Sequence, residues 1–124
     1  RVAAYLAAHP AVASVTHPSL FEGEARRRAE AALSGGHGSL LGFELKAGVE
    51  AGRRFIEALR LFYHVANIGD ARSLAIHPAS TTHSQLNVDE QAASGVTPGY
   101  VRLSIGIEHI DDILADLAAA LDAA

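Results

Sequence analysis

Cysteine is missing from all 124 residues, and so is methionine. Without cysteine there is no disulfide framework, no thiolate metal site and no cysteine nucleophile. Without a methionine even at position 1, and with RVAAYLAAHP starting in the middle of a helical pattern, the chain is expected to be a fragment of a longer protein. Basic charge is scarce as well: 10 Lys and Arg against 14 Asp and Glu leave a net charge of −4, whereas a nucleic-acid surface needs a basic excess. The one basic cluster, Arg26-Arg27-Arg28, stands between Glu22, Glu24 and Glu30 and reads as a solvated helix face. No apolar run approaches the ~20 residues of a membrane helix, and no secretory pattern opens the chain. A soluble, cytoplasmic protein without nucleic-acid or membrane partners is therefore expected.

What is present is enough for one domain, burying about two thirds of its unfolded surface. Val2, Tyr5 and Leu6 fall at helical spacing until His9-Pro10 stops the turn. AVASVTHP, short and β-branched between Pro10 and Pro18, reads as a strand. EGEARRRAEAALSGG reads as a helix stopped by Gly35-Gly36. GSLLGFELKAG sets Leu41, Phe43 and Leu45 against Gly42 and Glu44 with period two. In GVEAGRRFIEALR, Val49, Phe55, Ile56 and Leu59 form an apolar stripe, so an amphipathic helix follows.

Two apolar patches, HVANI and SLAI, then run into the hydroxyl-rich HPASTTH. YVRLSIGIE is the best alternation in the chain, Val101, Leu103, Ile105 and Ile107 against Arg102, Ser104, Gly106 and Glu108. The last helix follows, with Glu108, Asp111 and Asp112 expected at its N-terminal turn, where acidic charge suits the dipole. Alternating, half-buried strands favour an antiparallel or mixed sheet with helices mainly on one face. The expected fold class is α+β, a two-layer sandwich.

Arg102 is the first candidate for chemistry. Its neighbours at 101, 103 and 105 face the core, so its fork points to the other side of the sheet and suits a carboxylate or phosphate. The seven histidines do not form a metal set: His77 and His83 flank Pro78 with no acidic partner at ligand spacing. No G-x-S-x-G elbow occurs, and Gly35-Gly36-His37-Gly38 does not open a helix, which makes it a turn rather than a phosphate cradle.

NIGDARSLAIHPASTTHSQL, followed by GVTPGYVRLSIGIEHIDDILADL, resembles the C-terminal end of the pyridoxal-phosphate enzymes of cysteine and methionine metabolism. Those enzymes share an HPAS-x-TH loop and an (I/V)RLS(I/V)G(I/L)E strand before their last helix. The similarity extends to HPAVASVTHP and GSLLGFELKAG and so covers essentially the whole chain. It implies the small C-terminal domain of the aspartate-aminotransferase-like fold, residues 1–124, without the large domain that carries the cofactor lysine. The one lysine here, Lys46 in ELKAG, matches nothing in the family's lysine motif, so the isolated chain is expected to be inactive, with no catalytic residue of its own.

The same resemblance implies roles for single residues. Arg102 corresponds to the arginine that grips the substrate carboxylate, and Asn67 stands where relatives carry a serine at that carboxylate. Ser73, Thr82 and Arg72, in the same motifs, are further substrate-side candidates. Several transsulfuration relatives have glutamate where this chain has Arg72; a glutamate suits the distal ammonium of cystathionine and an arginine does not. The NIGDARSL version resembles the O-acetylhomoserine sulfhydrylase branch. That branch implies γ-replacement with pyridoxal phosphate: Cα–H and Cβ–H are acidified, acetate leaves from Cγ, and sulfide adds to give homocysteine. Cystathionine γ-synthase, γ-lyase and O-succinylhomoserine sulfhydrylase activities on the same scaffold, or a non-catalytic amino-acid-binding domain, are the alternatives. The expected partners are an amino-acid substrate, the chain's own large domain, and further copies in a homotetramer.

Overall fold

The computed structural model describes residues 1–124, the side chain of Val88 excepted. In chain order the elements are α1 (Val2–Ala7), β1 (Val12–Thr16), α2 (Gly23–Ala32), β2 (Leu40–Leu45), α3 (Gly48–Ala58), β3 (Tyr63–His64), β4 (Leu74–Ile76), α4 (Val88–Ala93), β5 (Tyr100–Ser104) and α5 (Ile110–Ala123). The strands form one sheet in the order β1-β2-β5-β4-β3. Three of its pairings are antiparallel, and the edge pair of β3 with β4 is parallel. This is the expected mixed α+β sandwich.

Alternation decides which face is covered. Leu41, Phe43, Leu45, Val101, Leu103 and Ala75 enter one core with Leu6, Phe55, Ile113 and Leu117 from α1, α3 and α5. Phe43 of β2 meets Phe55 of α3 edge to face, with centroids 5.3 Å apart and planes at 76°. Such a pair contributes about 0.5–1.5 kcal/mol beyond its buried area. The chain leaving α3 is held by Asp116 of α5, whose carboxylate accepts from the backbone N–H groups of Arg60, Leu61 and Phe62 at 2.9, 2.9 and 3.3 Å. By contrast, no residue of α2 is buried. Its charges pair along its own surface, Arg26 with Glu30 at 2.8 Å and Arg28 with Glu24 at 3.2 Å, as a solvated face should.

Two expectations need correction, and two segments without an assigned element take definite form. Of the HVANI patch only His64, with Tyr63 before it, pairs as a strand, and Val65 and Ile68 are exposed. The last strand stops at Ser104, because the N–H groups of Ile105 and Ile107 turn to the carbonyls of Ser39 and Ala71, leaving Ile107 86% exposed. Glu108 does not serve the dipole of α5; the helix starts at Ile110 behind His109, whose ring accepts from Asp111 N–H at 3.3 Å. Finally, the stretch after HPASTTH contains α4, built on a capping box in which Asn87 and Glu90 bond each other's backbone N–H at 3.0 and 2.9 Å.

Candidate carboxylate-binding site

The site grows from the even-numbered residues of β5 and its extension. Arg102 lies between Gly42 of β2 and Ile76 of β4 in the register, on the face away from the helices. Its Nη2 donates to the carbonyls of Ala66 at 2.5 Å and Asn67 at 3.1 Å. Its Nε is buried and has no hydrogen-bond partner among the described residues. A buried N–H left unmatched costs about 1–3 kcal/mol, more when charged, so the position calls for an acceptor, and a carboxylate is the natural one.

Further along, Ser104 Oγ accepts from Gly69 N–H at 3.2 Å. Gly106 N–H donates to Ser73 Oγ at 2.9 Å, and Ile107 N–H to the Ala71 carbonyl at 2.9 Å. Glu108 closes the series by accepting from Ser73 N–H at 2.7 Å and Ser73 Oγ at 2.9 Å. Positions 102, 104, 106 and 108 thus stitch the 66–73 loop to the strand and its continuation. The fit at Gly106 leaves no room for a side chain: a Cβ there would sit 2.4 Å from the Ala71 carbonyl oxygen. Burial pushes the Glu108 carboxyl up, but the Ser73 N–H, its own N–H, the Ser73 hydroxyl and the Arg72 charge outweigh it and hold the group below its usual value.

The expected site residues separate here. Arg102 and Asn67 come together, although Asn67 contributes its main-chain carbonyl and its side chain is exposed. Arg72 is exposed, with its guanidinium 4.6 Å from the centroid of the Tyr63 ring. Ser73 is fully buried and its one hydroxyl proton goes to Glu108, so it acts as a strut rather than a free ligand donor. Thr82 is exposed on a separate loop, its Oγ1 2.9 Å from His83 Nδ1. Glu108, expected at the helix start, instead holds Ser73. The clue to its real partner was its place on the same side of the alternation as Arg102.

The HPASTTH motif is held from within. His77 is fully buried, its Nε2 2.8 Å from the Pro98 carbonyl and its Nδ1 2.8 Å from Ser80 Oγ. The carbonyl can only accept, so Nε2 carries the proton and donates. The ring lies against Gly52 of α3, where a Cβ would fall 2.4 Å from Nε2. His77 therefore pins the loop between α3 and β5, and no cluster of metal-binding side chains occurs among the described residues. Lys46, the one lysine, lies beyond the end of β2, four residues or about 13 Å along the strand from Gly42. Its Nζ donates to the Pro10 carbonyl at 2.6 Å. The chain's one lysine is thus not beside Arg102. No helix is long and apolar enough to cross a membrane.

Comparison with known proteins shows what the chain as a whole is similar to. O-acetyl-L-homoserine sulfhydrylase of Leptospira meyeri is 52% identical over 98% of this chain and 28% of its own length. L-methionine gamma-lyase of Pseudomonas putida is 46% identical over 98% of this chain and 30% of its own. A crystal structure assigned as an O-acetylhomoserine (thiol)-lyase from Campylobacter jejuni, containing N′-pyridoxyl-lysine-5′-monophosphate, superposes with a TM-score of 0.87. It is 41% identical, over 98% of this chain and 29% of that one. The chain spans less than a third of the length of these relatives. The sequence pattern of one family matches residues 1–122, and the chain belongs to the Cys/Met metabolism enzymes that depend on pyridoxal phosphate.

Proposed function

We propose that this chain is the small C-terminal domain of an O-acetylhomoserine sulfhydrylase and supplies the clamp for the substrate's α-carboxylate. The observation that carries the reading is the buried, unpartnered Nε of Arg102 beside an Nη2 already held by two carbonyls. The carbonyls fix the plane of the guanidinium, and the free N–H awaits an acceptor of defined direction. A charge-assisted bond there is worth ~1.5–3 kcal/mol. More important than its strength is orientation: fixing the carboxylate fixes rotation about the Cα–N bond and so selects which bond at Cα lies ready to break.

Pyridoxal phosphate, when bound by the rest of the enzyme, supplies the electron sink that acidifies Cα–H and Cβ–H. This chain's part is to bind, orient and exclude. Arg102 takes the carboxylate; the Asn67 segment frames it; Arg72, stacked on Tyr63, stands where a distal ammonium would be repelled, which favours sulfide over a cationic second substrate. The sulfhydrylase reading is preferred to the γ-lyase one on the higher identity, 52% against 46%, over the same share of this chain. An arrangement of four subunits in dimers that share sites belongs to the same proposal.

The test is a substrate comparison with the full-length protein. O-acetylhomoserine plus sulfide should yield homocysteine faster than O-succinylhomoserine plus sulfide, and methionine should release little α-ketobutyrate. Arg102→Lys should raise KM about ten- to a hundredfold, one to two factors of ten at ~1.4 kcal/mol each. An unchanged kcat/KM in that variant would sink the clamp, and efficient methionine cleavage would favour the γ-lyase.

A further inference from the structure

We propose that Glu108 is a positioning residue for the carboxylate clamp: by holding Ser73 against the extension of β5, it fixes the loop whose carbonyls orient Arg102. The inference rests on the reading of Arg102 as the carboxylate ligand. It starts from how little else holds the loop. Val65 and Ile68 are exposed, the latter at 58%, and Ala66, Asn67, Ala71 and Arg72 lie at the surface, so apolar burial does not place residues 65–72. Hydrogen bonds do.

Apart from Arg102 itself, the anchors between the loop and the strand are Gly69 N–H on Ser104 Oγ, the Ala71 carbonyl on Ile107 N–H, and Ser73 with Gly106 and Glu108. Among these described contacts only Glu108 brings a formal charge, and it takes both donors of one residue, N–H and O–H. Charge-assisted bonds are about twice as strong as neutral ones. Ser73 is fully buried, so releasing it would strand its hydroxyl and amide without water to replace the carboxylate. The loop and the strand extension are in contact at Gly106, where the Ala71 oxygen and the Arg72 carbonyl carbon both lie within 2.5 Å of a would-be Cβ. A shift of the Ser73 end therefore passes along the Ala71 and Gly69 contacts to the Ala66 and Asn67 carbonyls. Glu108 makes no contact with the Arg102 guanidinium and acts on it through this loop.

The experiment uses the full-length enzyme with Glu108→Ala, Glu108→Gln and Arg102→Lys. Glu108→Ala should raise KM for the amino-acid substrate at least tenfold with kcat within about threefold. Glu108→Gln keeps an acceptor for Ser73 N–H and loses the charge, so it should recover part of that KM. Hydrogen exchange at the Gly69 and Ile107 amides should quicken in the order wild type, glutamine variant, alanine variant. A residue that only stabilised the fold would lower yield or melting temperature and leave KM where it was. If both Glu108 variants keep the wild-type KM while Arg102→Lys raises it, the positioning role is wrong and the clamp stands. If Arg102→Lys leaves KM unchanged too, the clamp itself is wrong and the role of Glu108 falls with it. Should the alanine variant not fold, the isosteric glutamine variant decides by its KM alone.

Discussion

At the scale of single residues, protonation of Glu108 gives a sharp test of the loop's attachment. Its carboxyl titrates below its ordinary value of 4.5 in the folded chain, because the Ser73 donors and Arg72 outweigh its burial. A depressed folded value means the unfolded chain binds the proton more readily, so the stabilisation is complete above the ordinary value and is lost as pH falls through the folded one. Urea midpoints of wild type and Glu108→Gln should differ most near neutrality and converge on acidification below 4.5; a gap that widens at low pH would contradict the assignment. The direction of Arg102 was legible from alternation alone. The carbonyls that hold it were not, since every residue has a carbonyl and those of Ala66 and Asn67 are 36 and 35 positions away. Asn67 stands where relatives carry a serine, yet it meets Arg102 through its backbone carbonyl, which its side chain does not announce. Glu108 reads as a helix-start residue because proximity to a helix start is visible in sequence, whereas Ser73, 35 positions away, is not.

Among elements, period two and period 3.6 were enough for β2, α3 and α5, whose patterned apolar positions reach the core except Val49. Short pieces escaped. In α4, six residues long, the capping box and not an apolar stripe sets the start, and Asn87 with Glu90 three positions on was the available signal. The end of β5 was overread because Ile105 and Ile107 continue the alternation in letters while their N–H groups leave for other partners. The exit of α3 depends on one side chain: Asp116 satisfies three consecutive N–H groups that no strand or helix takes. Asp116→Ala should destabilise the chain by about 1–3 kcal/mol, read as a lower urea midpoint with an unchanged slope. Asp116→Asn, which keeps one carbonyl acceptor, should fall between. Equal stability of all three would show that solvent replaces the carboxylate at no cost.

For the whole molecule, the sheet order places β5 between β2 and β4, so that its one row of side chains away from the core can meet a loop that leaves from β3 at the sheet edge. The sandwich and the family were both readable because the motifs that mark them, HPASTTH and VRLSIGIE, are local in sequence; of the two, only VRLSIGIE carries Arg102 and Glu108, while HPASTTH bonds chiefly within itself and to Pro98. Less readable was how the clamp is held together, for it joins parts of the chain some 33 to 36 residues apart with hardly any apolar contact. That separation has a kinetic meaning. Closing a long loop is unfavourable until the sheet already holds its ends, so β4 must pair with β5 before the Ala66 and Asn67 carbonyls can find Arg102. In refolding, pulse-labelled amides of the Phe43 and Val101 ladder should gain protection before those of Gly69 and Ile107. The proposed capacity to recognise a carboxylate would then be the last property the chain acquires as it folds, and the first it gives up as it begins to unfold.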